Sequence, residues 1–208
     1  LRCYGSSHGQ GGWRIIAKLE EHKLRKNTIV IFTGDNGTDR PIITSLNGKK
    51  IKYGKGQMND NGTRVPLIVS YPGKIKSGSV SDDLVDFSDM FPTMCEVSGI
   101  AIPTDRAIDG VSFWSTLQGK PGRIKPWTYV WWEGKVLART QTHMIRRMKA
   151  AGKIEFLDYS APYQPKALEI DQLVGEAKAS YETLLGVISK LDQTRPAELS
   201  KSYKKKKK

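Results

Sequence analysis

The stretch TIVIFTGDNG, residues 28–37, decides the fold that this sequence predicts. Residues 28–33 are rich in β-branched side chains, do not alternate between apolar and polar, and end at Gly34. Such a run is typical of a strand buried on both faces in a parallel sheet. Asp35 and Asn36 follow its carboxyl end, the edge at which open α/β sheets bind ligands. The sequence therefore predicts an α/β fold with a ligand site at this edge.

The side chains of Asp35 and Asn36 are candidate metal ligands. A carboxylate beside an amide oxygen provides two hard oxygen donors, which suit Ca²⁺ or Mg²⁺ better than a soft metal. Ca²⁺ takes about six to eight oxygens, so two donors form only part of a site. Asp-Asn-Gly after a strand is also an ordinary turn sequence, and spacing alone favours the turn.

A hairpin is predicted between this strand and Lys55. Two extended segments, residues 41–46 and 49–53, flank Asn47-Gly48, the strongest short-range hairpin signal. The hairpin would fold Lys55 back over the Asp35 end of the strand. Residues 65–70 form a second run with the composition of a buried strand.

Composition limits the classes of partner. The 208 residues carry a formal net charge of +13, of which five charges belong to the block Lys204 to Lys208. A basic chain attracts anionic substrates, but no basic motif interleaved with aromatic residues indicates nucleic-acid binding. No apolar run approaches the ~20 residues of a membrane-spanning helix, so no membrane partner is predicted. Cys3 and Cys95 lack the spacing of a metal site.

Apolar spacing predicts three helices and a small sheet. The first helix would bury Trp13, Ile16, Ala17, Leu19 and Leu24, and the second, within residues 84–98, would bury Phe87, Met90, Phe91, Met94 and Val97. Four short strand-like runs follow at 128–132, 136–140, 142–147 and 154–159. The third helix, within residues 168–191, would dock on that sheet through Leu173, Ala177, Tyr181, Leu184, Ile188 and Leu191.

Several motifs resemble the second half of the formylglycine-dependent sulfatases, within the alkaline phosphatase superfamily. They occupy residues 34–38, 54–56, 60–69, 71–74, 86–93 and 109–112. The resemblance implies part of the sulfatase α/β sheet, sandwiched by helices, followed by a small antiparallel sheet with a C-terminal helix. We expect an irregular N-terminus at 1–11, the α/β part at 12–122, the small subdomain at 123–200 and a disordered lysine-rich tail at 201–208.

The resemblance also implies the chemistry of the site. Asp35 and Asn36 match the family's Ca²⁺ ligands, and Lys55 matches the lysine that contacts the sulfate. The implied activity is hydrolysis of a sulfate ester on a sulfated small molecule or sulfated glycan, with Ca²⁺ and a formylglycine nucleophile. Ca²⁺ and an ammonium beside the ester would stabilise charge that develops as the S–O bond breaks. The resemblance suggests a periplasmic, secreted or lysosomal location.

The family's nucleophile signature, Cys/Ser-x-Pro/Ala-x-Arg, is not matched. The segment Cys3-Tyr4-Gly5-Ser6-Ser7 departs from it at the Pro/Ala and Arg positions. We therefore expect a chain that begins partway through a gene and is inactive alone. Two alternatives stay open: a phosphoryl or phosphonate hydrolase of the same superfamily, and a non-catalytic basic module that binds sulfated polysaccharide.

Overall fold

The computed structural model describes residues 6–46, 48–123, 125–148, 152–161 and 164–195. Helix α1 (Ser6–Glu21) and strand β1 (Val30–Thr33) are followed by a hairpin of β2 (Thr44–Leu46) and β3 (Lys49–Ile51). The next elements are α2 (Asp60–Thr63), β4 (Leu67–Ser70), α3 (Met90–Ser98) and α4 (Trp114–Leu117). Strands β5 (Thr128–Trp132), β6 (Lys135–Arg139), β7 (His143–Arg147), β8 (Ile154–Asp158) and β9 (Lys166–Ala167) precede the last helix, α5 (Gly175–Thr194). The predictions for residues 1–5, Asn47 and the lysine tail fall outside the described residues.

Helix α1 is longer and less buried than predicted. It begins at Ser6, so the predicted irregular segment 1–11 is wrong from that residue onward. Extending an existing helix costs much less than starting one, which explains how the helix from Trp13 continues back through the glycines. Of the predicted core face only Ile16 is buried, whereas the Trp13 side chain is 67% exposed.

Strand β1 pairs with β4, and the two run antiparallel, with Val30 opposite Ser70 and Thr33 opposite Leu67. Every residue of both strands is half-buried. The prediction of a parallel strand buried on both faces is therefore wrong for this pair. Apolar, β-branched composition specifies a strand but not the direction of its partner, and the chain between them returns through loops at one end instead of crossing over.

The predicted hairpin is confirmed. Strands β2 and β3 pair antiparallel, with Thr44 opposite Ile51 and Leu46 opposite Lys49. Gly48 has φ of 77°, a left-handed conformation that glycine adopts without steric cost.

The second predicted helix is shorter, and its buried face is different. A 3₁₀ turn at Phe87–Asp89 precedes α3, and Pro92 lies in the first turn of α3, where its missing N–H breaks no helical hydrogen bond. Phe87 and Phe91 are exposed, whereas Pro92, Thr93 and Cys95 are buried. Phe87 lies in the 3₁₀ turn and not in α3, so the helical spacing that the prediction extended back to it does not apply there.

The C-terminal part matches its prediction closely. The five strands β5–β9 form one antiparallel sheet in chain order, although the short β9 was not predicted. Helix α5 packs on one face through Leu184 and Ile188. The buried cluster contains Val136, Ala138, Ile145, Phe156, Leu184 and Ile188. This is the main apolar core among the described residues.

Candidate active site

The predicted metal ligands lie in the bend directly after β1. Asp35 is exposed and Asn36 is half-buried. Their oxygens are hard donors of the kind that Ca²⁺ binds. Among the described residues, no group of three or more His, Cys, Asp or Glu side chains could hold a metal ion. Asp35 and Asn36 are therefore suitable donor types for Ca²⁺ but are too few to complete a coordination shell by themselves.

Backbone hydrogen bonds hold the Lys55 turn against this bend. The N–H groups of Gly54 and Lys55 both donate to the Thr38 carbonyl oxygen, at 2.9 and 3.1 Å. The Gly37 N–H donates to the Gly62 carbonyl oxygen at 2.9 Å. The backbone of Lys55 therefore returns to the end of β1 as predicted, and the residue that it contacts, Thr38, is two positions after Asn36.

Three glycines make this junction possible; we call Gly37, Gly54 and Gly62 the glycine junction. A Cβ added to Gly37 would lie 1.8 Å from the Asn61 carbonyl oxygen, and one on Gly54 would lie 1.9 Å from the same atom. A Cβ on Gly62 would lie 2.0 Å from the Gln57 carbonyl oxygen. Only glycine allows backbone to approach backbone this closely.

The ammonium of Lys55 forms an ion pair with Asp39 and not with Asp35. The Nζ–Oδ2 distance is 3.5 Å, and the two side chains are 52% and 65% exposed. The Arg40 backbone N–H, at 2.8 Å, is the main cause that lowers the pKa of Asp39, and the Lys55 charge adds to it. An exposed pair at this distance is weak, so the ammonium can exchange Asp39 for another anion.

Arg139, the last residue of β6, binds the first residue of helix α2, Asp60. Arg139 Nη1 donates to Asp60 Oδ1 at 2.5 Å, and Asp60 is only 2% exposed. Burial raises the pKa of Asp60, although the charges of Arg139 and Arg64 act in the opposite direction. Arg64 Nη1 also lies 3.9 Å from Asp60 Oδ2. The closer partner, Arg139, carries no sequence signal because it lies 79 residues away.

Two further features of the site were not predicted. Trp132, at the end of β5, packs on the Lys55 turn, since a Cβ on Gly56 would lie 3.3 Å from its ring. Lys135 Nζ lies 4.1 Å from the centroid of the same ring. The edge of the small sheet therefore contacts the turn that carries Lys55.

A buried charge network joins the loop before α3 to the segment before β5. Lys125 Nζ lies 2.8 Å from Asp86 Oδ2 and 2.7 Å from Asp89 Oδ1, and Arg123 Nη2 lies 2.8 Å from Asp89 Oδ2. Burial alone would raise the pKa of Asp89, but hydrogen bonds from Lys125, from two backbone N–H groups and from Arg123 lower it. No spacing rule pairs these residues, which lie 34 to 39 positions apart.

A family model agrees with the motifs. Residues 13–100 match the model described as Sulfatase. Within the described residues, no helix has the length and apolar character needed to cross a membrane.

Curated relatives are sulfatases. The chain is similar to the uncharacterized sulfatase YdeN of Escherichia coli, 38% identical over 113 residues, which cover 53% of this chain and 20% of that protein. It is also similar to mouse steryl-sulfatase, 33% identical over 130 residues, or 58% of this chain and 21% of the relative. Dog N-acetylgalactosamine-6-sulfatase is 33% identical over 108 residues, or 51% and 21%. The match thus spans about a fifth of the length of these relatives.

Solved structures share the fold. A putative sulfatase from Bacteroides fragilis superposes with a TM-score of 0.64 at 20% identity, covering 86% of this chain and 39% of that chain. A phosphonate monoester hydrolase from Silicibacter pomeroyi gives 0.62 at 20% identity, covering 88% and 38%. Through the family model and the curated relatives, residues 13–100 resemble part of the sulfatases, and the superpositions show that the chain has the alkaline phosphatase-like fold.

Proposed function

We propose that this chain supplies part of the active site of a sulfate ester hydrolase, in which Asp35 and Asn36 bind Ca²⁺ and Lys55 binds the sulfate group. The observation that carries the proposal is the glycine junction, which fixes the backbone of Lys55 beside the bend of Asp35 and Asn36. The side chains of Asp35 and Lys55 are exposed, and that of Asn36 is half-buried. An anion that enters there would meet an exposed ammonium.

The roles of the residues follow from their charges. Ca²⁺, when bound, supplies positive charge against the sulfate oxygens. The ammonium of Lys55 leaves the exposed carboxylate of Asp39 and hydrogen-bonds the sulfate, which neutralises part of its charge. The rigid backbone around Gly54 keeps this lysine within reach of the bend, so little ordering is required when substrate binds.

The nucleophile in this proposal is a formylglycine contributed from outside this sequence. The chain by itself therefore does not turn over an aryl sulfate. The substrate is a sulfated small molecule or a sulfated glycan, which is supported by relatives whose names specify a steryl sulfate and an N-acetylgalactosamine 6-sulfate. Following the family, we propose a periplasmic, secreted or lysosomal location.

The alternative of a phosphonate hydrolase has weaker support. The phosphonate monoester hydrolase is similar at 20% identity, a level that shows the fold alone, whereas the relatives that match at 33% and above are sulfatases. Stimulation by Zn²⁺ or Mn²⁺ in place of Ca²⁺ would favour this alternative. Salt-sensitive heparin binding that survives Asp35→Ala would favour a non-catalytic basic module.

The experiment that tests the proposal is a titration of the ¹⁵N-labelled chain with CaCl₂, followed by inorganic sulfate. We expect Ca²⁺ to shift the amide resonances of Asp35 and Asn36, and Asp35→Ala to abolish the shift. The matched control is Asp105→Ala, an exposed aspartate paired with Arg106 away from the bend.

The sulfate step uses a second pair of variants. Lys55→Ala should remove the shifts that sulfate causes around residue 55, whereas Lys52→Ala, which removes an exposed lysine from the same loop, should keep them. Because the two residues form only part of a coordination shell, the titration extends to about 10 mM Ca²⁺, and shifts of the bend that persist in Asp35→Ala would contradict the metal role.

A further inference from the structure

Helix α2 connects the small C-terminal sheet to both loops of the candidate site. On one side, the Asn61 carbonyl oxygen fits against Gly37 and Gly54, and the Gly62 carbonyl oxygen accepts from the Gly37 N–H. On the other side, the Asp60 side chain accepts from Arg139. One short helix therefore contacts the residue after Asn36 and the residue before Lys55 while its first residue is bound by the sheet.

Arg139 is held in one orientation by several contacts. Its Nε donates to the Thr140 carbonyl oxygen at 3.1 Å and its Nη2 donates to the Gln141 carbonyl oxygen at 3.4 Å. Its guanidinium carbon lies 5.4 Å from the centroid of the Tyr159 ring. The side chain is 13% exposed. A guanidinium fixed by three groups of its own subdomain can transmit the position of the sheet to Asp60.

Asp60 depends on this contact. Its Oδ2 is buried without a hydrogen-bond partner, and Arg64 Nη1 stands 3.9 Å from it on a half-exposed side chain. Among the described residues, Arg139 is therefore the one side chain that donates a hydrogen bond to the Asp60 carboxylate. A buried carboxylate that loses such a partner must protonate, move toward water or pull its helix with it.

We infer that Arg139 is a positioning residue: through Asp60 it fixes α2, and α2 sets the place of the Asp35–Asn36 bend relative to the Lys55 turn. The inference rests on the proposed function only in assigning Ca²⁺ and sulfate to those two loops. It gives the small sheet a part in the site without requiring it to touch the reacting atoms. The charge pair acts between two parts of the chain 79 residues apart.

Hydrogen exchange of the folded chain, measured without metal, tests the link directly. The reporters are the amides of Gly37, Gly54 and Lys55, whose hydrogen bonds form the junction. We expect Arg139→Ala to speed their exchange about tenfold or more, since an unpaired buried charge costs more than the ~1.4 kcal/mol that tenfold represents. Arg139→Lys should restore part of the protection because it keeps the charge but loses the planar fork.

The matched control is Arg147→Ala. Arg147, on β7, pairs with Asp192 on α5 at 2.7 Å, so its removal also breaks a half-buried ion pair of the small subdomain. It should loosen α5 without changing the three reporter amides. A general loss of stability, in contrast, would speed the reporters to the same extent in both variants and would overturn the inference.

A double variant separates action through Asp60 from independent action. In the Asp60→Ala background, adding Arg139→Ala should change reporter exchange by less than about twofold, because the pair is already broken. Additive effects, or reporters unchanged in Arg139→Ala, would refute the positioning role. If Arg139→Ala does not fold, Asp60→Asn, which removes the charge at nearly constant volume, provides the same readout.

The exchange result and the proposed function can fail separately. Reporter exchange needs no Ca²⁺, so a chain without metal affinity can still show the link. Conversely, Ca²⁺ shifts at Asp35 that persist unchanged in Arg139→Ala would leave the metal role intact and contradict only the inference.

Discussion

Strands β1 and β4 are half-buried along their whole length, whereas β6 and β7 in the C-terminal sheet each have three buried residues in a row. In the sheet, Val136, Ala138 and Ile145 have no exposed surface and pack against α5. The loops after β1 are instead held by backbone contacts at glycines and by ion pairs. Close backbone contacts and ion pairs therefore stabilise the part of the chain that carries the sulfatase motifs. An apolar core stabilises the part that carries few motifs.

This difference has a physical reason. A candidate site needs accessible polar groups in fixed places, and an apolar core cannot provide them without burying them. Close backbone contacts fix a loop without covering its side chains. The small sheet, whose described residues include none of the candidate ligands, supplies the core and anchors α2 through Arg139.

The largest effect should come from the apolar core. Phe156 is 1% exposed, stacks on His143 and meets Tyr181 edge to face. Phe156→Ala should lower the free energy of unfolding by about 3–5 kcal/mol because it leaves a cavity among close-packed side chains. The measurement is urea denaturation of the chain.

Phe91→Ala is the control, since Phe91 in α3 is 49% exposed. It should cost about 1 kcal/mol or less. Equal losses in the two variants would mean that the two regions do not differ in the way the burial pattern indicates.

The second prediction concerns the buried charges. Lys125→Met keeps most of the side-chain volume but removes the ammonium from Asp86, Asp89 and the face of the Trp127 ring. The expected loss is about 3 kcal/mol, the low end for a broken buried pair, because Arg123 still pairs with Asp89. Lys120→Met, at an exposed lysine, should leave the urea midpoint unchanged, and a loss as large there would refute the assignment.

The third prediction addresses the glycine junction. Gly54→Ala places a methyl group where the Asn61 carbonyl oxygen lies, so the backbone must shift, at about 1–3 kcal/mol. Gly186→Ala is the control, because that α5 glycine has open space and should gain about 0.5–1 kcal/mol as a better helix former. The melting temperatures of both variants are compared. An unchanged melting temperature in Gly54→Ala would show that the backbone contacts of the glycine junction are not tight.

The sequence predicted the elements that depend on local chemistry. Asn47-Gly48 specified the hairpin, and turn signals placed β5 to β8 within a residue or two of their bounds. The spacing of Leu184, Ile188 and Leu191 identified the buried face of α5. Each of these depends on residues a few positions apart, which a single sequence displays directly.

The features that escaped prediction depend on contacts between distant residues. Pairing of Arg139 with Asp60 and of Lys125 with Asp89 joins residues 79 and 36 positions apart. The antiparallel pairing of β1 with β4 is also set by the path of the chain between them and not by strand composition. For the site, the motifs placed Asp35 and Asn36 in the bend after β1, but the fit of the Gly54 backbone against the Asn61 carbonyl oxygen has no sequence signal.

The smallest effect should come from Lys55, the residue on which the proposed chemistry depends most. Lys55→Met should leave the melting temperature unchanged, since its exposed pair with Asp39 is screened by solvent. The pKa of Asp39 should rise only part of the way to its ordinary value, because the Arg40 backbone N–H, its main lowering cause, remains. A ¹³C titration of the Asp39 carboxyl measures this, with Lys52→Met as the control that leaves it unchanged. A Lys55→Met variant as unstable as Gly54→Ala would assign the lysine a structural role. The site would then depend on this side chain for its stability, and not on backbone contacts alone, so it would no longer contrast with the apolar core in the way proposed.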